Sequence, residues 1–191
     1  MCEMHMLENI VAHSLQVCRV ATCLLDHLKS EGIHLNRRLL QAAALLHDIT
    51  KTRSFKTKEN HALTGGQYLT DSGYAAVGNL VRQHVHLDDY SEDKSLTEAE
   101  IINYADKRVL HDRIVPLNER MNYIMEKYGT QPEHKQRIRL LWDKTKNLEK
   151  QIFNYLPFSP NDLNAHLTPR EISSEISSYQ KLCSQLTTGS L

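Results

Sequence analysis

The chain has 191 residues, enough for one domain with a real core and a small appended element. Its 23 basic and 23 acidic residues cancel, so bulk electrostatics favours neither nucleic acid nor an anionic membrane surface, and an anionic ligand has to be gripped locally. The 11 histidines are the compositional oddity, because imidazole titrates near neutral pH and is the commonest metal ligand.

Apolar residues recur at helical spacing through most of the chain and no run alternates apolar with polar, which predicts an all-α fold. A first helix is expected over residues 7–29, with Leu7, Ile10, Val17, Ala21, Leu24 and Leu28 on one stripe and Gly32 as its stop. A second is expected over 36–49. The polar, basic stretch 50–59 reads as a loop, followed by helices over 60–70 and 74–85 and an acidic loop over 86–95. Thr97 with Glu100 forms a capping box that opens a helix reaching Leu110. Pro116 begins a helix ending near Gly129, and a long amphipathic helix spans 132–155. Residues 156–167, with Pro157 and Pro160, read as a linker, after which Thr168, Pro169 and Glu171 sit where the cap, first turn and third position of a terminal helix to about 186 require. This divides the chain into residues 1–130, a helical domain, and 131–191, C-terminal helices that pack on the core or on a partner subunit.

Cys2, Cys18, Cys23 and Cys183 have no CxxC or paired spacing, so small buried thiols are expected. The opening MCEMHMLENI has no basic segment leading into an apolar one, and no window holds the roughly 18 apolar residues of a membrane span. A cytoplasmic location without membrane contact is the expectation.

Several imidazoles and carboxylates fall on core-facing helical positions, where burial without a partner is costly. His13 flanks the Ile10–Val17 stripe. His47 and Asp48 lie four residues after Ala43 and Ala44. His84 follows Leu80 and Val77, and Asp106 follows Ile102. One buried histidine is usually a hydrogen-bonded core residue. Several converging with two carboxylates are more simply satisfied by a divalent metal.

His13, LLHDITK at 45–51 and NYADKRV at 103–109 together resemble the HD-domain metal-dependent phosphohydrolase superfamily, over about residues 7–115. The resemblance implies an HD-domain helical bundle with a C-terminal helical extension. It implies a first metal held by His13, His47, Asp48 and Asp106, and a second held by His61 and His84 with Asp48 shared. This two-metal arrangement is similar to bacterial symmetrical dinucleoside tetraphosphate hydrolases. His86, two residues from His84 and on another helical face, is expected to support the site from outside the ligand set.

The activity so implied is cleavage of a phosphate ester or anhydride, in a nucleotide or small phosphorylated metabolite, by a hydroxide that the two metals activate. The mixed nitrogen and oxygen donors suit iron, manganese, zinc or cobalt. Lys51, one turn after Asp48, is a candidate catalytic and substrate-binding residue. Arg53, Lys107 and Arg113 are candidate substrate-binding residues, with Lys56, Lys58, Arg108 and Arg120 as further basic residues nearby. Two other classes compete: oxygen activation by di-iron on an HD fold, and a non-catalytic module that binds a nucleotide through its metal. Trp142 and the stripe Ile138, Leu141, Leu148, Ile152 and Tyr155 suit core packing or a homodimer contact.

Overall fold

The computed structural model describes residues 1–91, 94–168 and 172–188, with side chains to 185. The fold is all-α. Its helices are α1 (Glu8–Ser30), α2 (Arg37–Leu46), α3 (Lys51–Thr57), α4 (His61–Asp71), α5 (Ala75–Val81), α6 (Glu98–Lys107), α7 (Leu117–Tyr128), α8 (Pro132–Phe153) and α9 (Ile172–Thr188).

The centre of the bundle is α6, buried on every side from Ala99 to Lys107 and packed against α1, α2, α5, α7 and α8. The Thr97 and Glu100 capping box is formed as expected, with the Thr97 backbone N–H donating to Glu100 at 2.7 Å. The main core joins Val17, Leu24 and Leu28 of α1, Leu40 of α2, Ile101 and Ile102 of α6 and Leu148 and Ile152 of α8, each contributing about 1.5–3 kcal/mol by burial. A smaller cluster joins Leu117 and Met121 of α7 to Ile138 of α8.

The structure corrects several boundaries. Helix α2 stops at Leu46 rather than 49, and α5 stops at Val81 rather than 85. The basic stretch expected as a loop carries α3. After α6 the chain forms two two-residue strands, β1 (Val109–Leu110) and β2 (Arg113–Ile114), paired antiparallel about the turn at His111 and Asp112. Two residues are too few to leave an alternating signature. The expected linker holds a 3-10 helix, Pro160–His166, whose Leu163 enters the main core. The predicted cap at Pro169 and Glu171 lies outside the described residues.

Cys2 and Cys183 form a disulfide, against the expectation of free thiols, because α9 returns to α1 and brings the two ends of the sequence together. Cys18 and Cys23 remain thiols, each beside a backbone carbonyl, Gln41 for Cys18 and His166 for Cys23. Among the described residues no helix is long and apolar enough to cross a membrane.

Candidate metal centre

Five separate elements bring the histidines and aspartates to one place. His13 comes from the middle of α1. His47 and Asp48 sit in the turn that ends α2. Neighbouring side chains on a continuous helix diverge by about 100°, so the early end of α2 is what lets both turn toward the same point. His61 opens α4 directly after Asn60, whose side chain accepts from the N–H groups of Ala62 and Leu63. His84 lies in the turn after α5, and Asp106 is in the last turn of α6.

Helices α4 and α5 meet through two glycines. A Cβ on Gly66 would stand 2.8 Å from the Gly78 carbonyl oxygen, and one on Gly78 would stand 2.5 Å from that of Gly66. Only glycine permits this approach. The Thr50 hydroxyl donates to the His61 carbonyl at 2.9 Å, tying the turn after Asp48 to the start of α4. On the other side, the His84 carbonyl accepts from Asn103 Nδ2 at 3.0 Å and Lys107 Nζ at 2.6 Å, which clamps its turn to α6.

Three imidazoles are oriented by backbone carbonyls. His47 Nδ1 lies 2.8 Å from the Ala44 oxygen, His84 Nδ1 2.6 Å from Val81 and His13 Nδ1 2.9 Å from His111. A carbonyl only accepts, so each Nδ1 carries a proton, and in the neutral ring each Nε2 presents a lone pair inward. What those lone pairs meet is more acceptors. His13 Nε2 is 3.0 Å from Asp106 Oδ1, and His47 Nε2 is 3.8 Å from that atom and 3.6 Å from Asp48 Oδ2. Asp48 Oδ1 faces the other way, 3.1 Å from His61 Nε2 and 3.6 Å from His84 Nε2, and those two nitrogens are 3.2 Å apart. Among the described residues, His47 Nε2 and Asp48 Oδ1 are buried with no hydrogen-bond partner. Acceptors crowded against acceptors repel unless a cation lies among them.

Two groups of donors are close enough to share an ion: His13, His47 and Asp48, and Asp48, His61 and His84. Asp48 belongs to both. Asp106 adjoins the first through its contacts with His13 and His47.

The electrostatics keeps these donors ready. Burial pushes His84 well below the usual histidine range, helped by the neighbouring His47, and burial also lowers His47. Burial works to raise Asp48, yet His47, the close approach of His61, Lys51 and His84 together hold it well below the usual carboxylate range. Asp106 is treated alike: burial raises it, but Lys107, His13 and Arg120 outweigh burial. Neutral imidazoles and ionised carboxylates are the forms that bind metal.

A cleft of about 400 Å³ opens over the site. Asp48, His61, His84 and Asp106 form its floor, Lys51, Lys107 and Arg120 supply charge, and Phe55, Ile124, Tyr128 and Leu141 supply apolar wall. Of the basic residues expected at substrate, Lys51 is in the cleft, its Nζ 3.1 Å from His61 Nε2 and 3.6 Å from Asp48 Oδ1. Lys107 is buried and already held, with Nζ 3.2 Å from Asp106 Oδ2 besides its bond to the His84 carbonyl. Arg53 pairs with Glu59 at 2.6 Å and Arg113 with Glu119 at 3.4 Å, both on the exposed surface and neither lining the cleft. Arg108 is spent inside the fold on the carbonyls of Val115 and Pro160. His86 is exposed and lines a neighbouring cavity of about 250 Å³, with Lys107 and Lys144 among the charges near it.

The sequence reading passed over Phe55, Ile124 and Tyr128, which have only apolar character to announce them. It also passed over the His111 carbonyl that orients His13. His111 has φ 57°, a left-handed conformation uncommon for a residue other than glycine and set by the tight hairpin turn.

An all-helical bundle with a buried histidine–aspartate centre of this kind has the donor set of a divalent-metal protein. The chain belongs to the HD-domain family: the family's model matches residues 10–109, over half of the 191. Neither a curated protein nor a solved structure matches it. HD domains are typical of metal-dependent phosphohydrolases, and His13, His47, Asp48, His61, His84 and Asp106 all fall inside the matched segment.

Proposed function

We propose that the protein is a metal-dependent phosphohydrolase that cleaves a phosphate ester or anhydride in a nucleotide or a small phosphorylated metabolite. His13, His47, Asp48 and Asp106 would hold one divalent ion, and Asp48, His61 and His84 would hold a second. The observation that carries this reading is that His47 Nε2 and Asp48 Oδ1, both buried and without a hydrogen-bond partner among the described residues, each belong to a group of donors close enough to share an ion. Iron, manganese, zinc and cobalt all suit three or four nitrogen and oxygen donors.

Divalent ions in these positions supply a water acidic enough to attack phosphorus near neutral pH. The chain's own residues do the rest. Lys51, the more exposed of the two cleft lysines, is the one able to meet a phosphate oxygen. Lys107 acts indirectly, by fixing Asp106 and the turn that bears His84. The apolar wall limits the water that competes for the bound phosphate.

A second reading has one metal. Lys51 Nζ already sits against His61 Nε2 and Asp48 Oδ1, so its ammonium is a cation able to serve the second donor group in place of an ion. Metal analysis of the purified protein, joined to a panel of phosphomonoesters, phosphodiesters and nucleoside polyphosphates, tests both. Two ions per chain with metal-dependent phosphate release is the expected result. One ion with the same release favours the Lys51 reading. A loaded site that releases no phosphate from any member of the panel, or that consumes oxygen with ferrous iron instead, rejects hydrolysis.

A further inference from the structure

We propose that one stripe of α7, Arg120, Ile124 and Tyr128, is the substrate-recognition face of this site. Arg120 grips the phosphoryl group, and Ile124 and Tyr128 receive an apolar or aromatic remainder. The proposal rests on the phosphohydrolase reading for its ligand class and adds residues that lie beyond the HD-matched segment, which ends at 109.

Helix α7 has two working faces. Leu117, Met121 and Met125, spaced four apart, pack with Ile138, Leu141 and Trp142 of α8 and fix the helix on its neighbour. Arg120, Ile124 and Tyr128, also spaced four apart, form an adjacent stripe, and all three line the cleft over the metal donors, with Ile124 also resting against the α7–α8 cluster. With a rise of 1.5 Å per residue, Ile124 and Tyr128 stand about 6 and 12 Å along the helix from Arg120. That matches a small phosphate compound laid along α7 with its phosphoryl end at Arg120.

The state of Arg120 favours a ligand role. Its side chain is only 17% exposed, its guanidinium lies 5.8 Å over the Tyr123 ring, and its Nη2 is 3.9 Å from Asp106 Oδ1. That distance is a charge contact, too long for a hydrogen bond. Nε is buried and unpaired among the described residues. Asp106 is already engaged with His13 at 3.0 Å and Lys107 at 3.2 Å. Once Asp106 serves a metal, its charge is committed there, and the guanidinium is left facing the cleft without a carboxylate of its own. A planar fork of donors in that position suits phosphoryl oxygens. At the far end of the stripe Tyr128 is 52% exposed, and Phe55 of α3, 50% exposed, lines the same cleft. Half-exposed aromatic rings on a cleft wall suit a flat or apolar group.

The test uses the manganese-loaded full chain and three probes that it cannot hydrolyse: inorganic phosphate, methylphosphonate and phenylphosphonate. Affinities come from calorimetry and metal content from elemental analysis. Arg120→Gln is expected to keep its metal and to weaken all three probes about tenfold or more, as befits loss of a charge-assisted pair, with Arg120→Lys between it and the parent. Tyr128→Ala is expected to weaken phenylphosphonate at least threefold while leaving methylphosphonate unchanged. The proposal is overturned if Arg120→Gln binds phosphate within twofold of the parent or sheds its metal, since Arg120 then only steadies Asp106. It is overturned equally if Tyr128→Ala treats the two phosphonates alike, or if the loaded parent binds none of the probes. A parent that binds them in the expected pattern yet hydrolyses no ester upholds this face and rejects the phosphohydrolase reading.

Discussion

The assignment of Asp48 to two ions makes it the position whose loss matters most, and the effect has a calculable size. A ligand that binds only the folded state stabilises by RT ln(1 + [L]/Kd), about 2.7 kcal/mol at one hundred times Kd. For a chain of this length roughly 2–4 °C of Tm accompanies each kcal/mol, so each filled site raises the parent's Tm by roughly 5–11 °C. Asp48→Ala removes Oδ2 from the His47 side and Oδ1 from the His61 and His84 side at once. Loss of an outer partner of a ligand costs about 10–100-fold in metal affinity, and loss of a shared ligand costs at least the upper figure. At the same free metal the gain then drops to about 0.4 kcal/mol, roughly 1–2 °C. The assay is thermal unfolding of parent and variant with manganese and with a chelator. Subtracting the two cancels whatever the substitution does to the metal-free fold. A variant that keeps the parent's metal-induced rise, with two ions by elemental analysis, would refute the shared-carboxylate geometry.

Other outcomes follow from the same geometry. His61→Ala should lower bound metal from two ions to one, because His61 touches only the Oδ1 side of Asp48; loss of both ions argues against separate sites. Gly66→Ala places a Cβ 2.7 Å from that of Arg82 and 2.8 Å from the Gly78 oxygen. Overpacking of this kind costs about 1–3 kcal/mol, read as a lower urea midpoint, and an unchanged midpoint means the crossing is looser than described. The metal-free protein should lose stability as pH falls. His47 and His84 have folded values pushed down by burial, so the unfolded chain takes up protons first, starting near pH 6.5, at about 1.4 kcal/mol per histidine per pH unit until the folded values are reached. Asp48 and Asp106, also held low, add a further loss beginning near pH 4. Urea unfolding in chelator between pH 8 and 5 measures the histidine part, and a flat profile contradicts neutral buried imidazoles.

Much of this was legible in the sequence because it repeats locally. The stripe of α1 from Ile10 to Leu28 and the capping box of α6 are each set within a few residues, and the structure bears them out, with Leu7 left exposed at the cap of α1. What escaped was set by contacts distant in sequence. The apolar periodicity of α2 runs through Ile49, yet the helix stops at Leu46, where the turn holding His47 and Asp48 is tied to α4 through Thr50. The polar stretch after Asp48 becomes α3, whose side chains are not buried and therefore leave no apolar stripe. Arg53 and Arg113 read as phosphate-facing by proximity to Asp48 and Asp106, but proximity along the chain does not choose the face, and both turn to nearby glutamates. The pairing of Cys2 with Cys183 spans 181 residues and leaves no spacing to read.

The division of labour within the site follows from the same distinction. Every proposed donor lies between His13 and Asp106, inside the HD-matched segment, on α1, the turn after α2, α4, the turn after α5, and α6. These elements surround a shared core, so the donors are held by packing and by the buried carbonyls of Ala44 and Val81, with His13 steadied besides from the exposed turn at His111. The wall that a substrate meets is built differently. Phe55 projects from α3, a short helix with no buried residue, and Arg120, Ile124 and Tyr128 come from α7, anchored chiefly through the small cluster with α8. Changes on α3 and α7 therefore leave the metal donors in place while reshaping what reaches them. Variants at Phe55 and Tyr128 should alter which phosphate compounds are accepted without altering metal content, whereas variants at Asp48 or His47 should alter metal content whatever compound is offered.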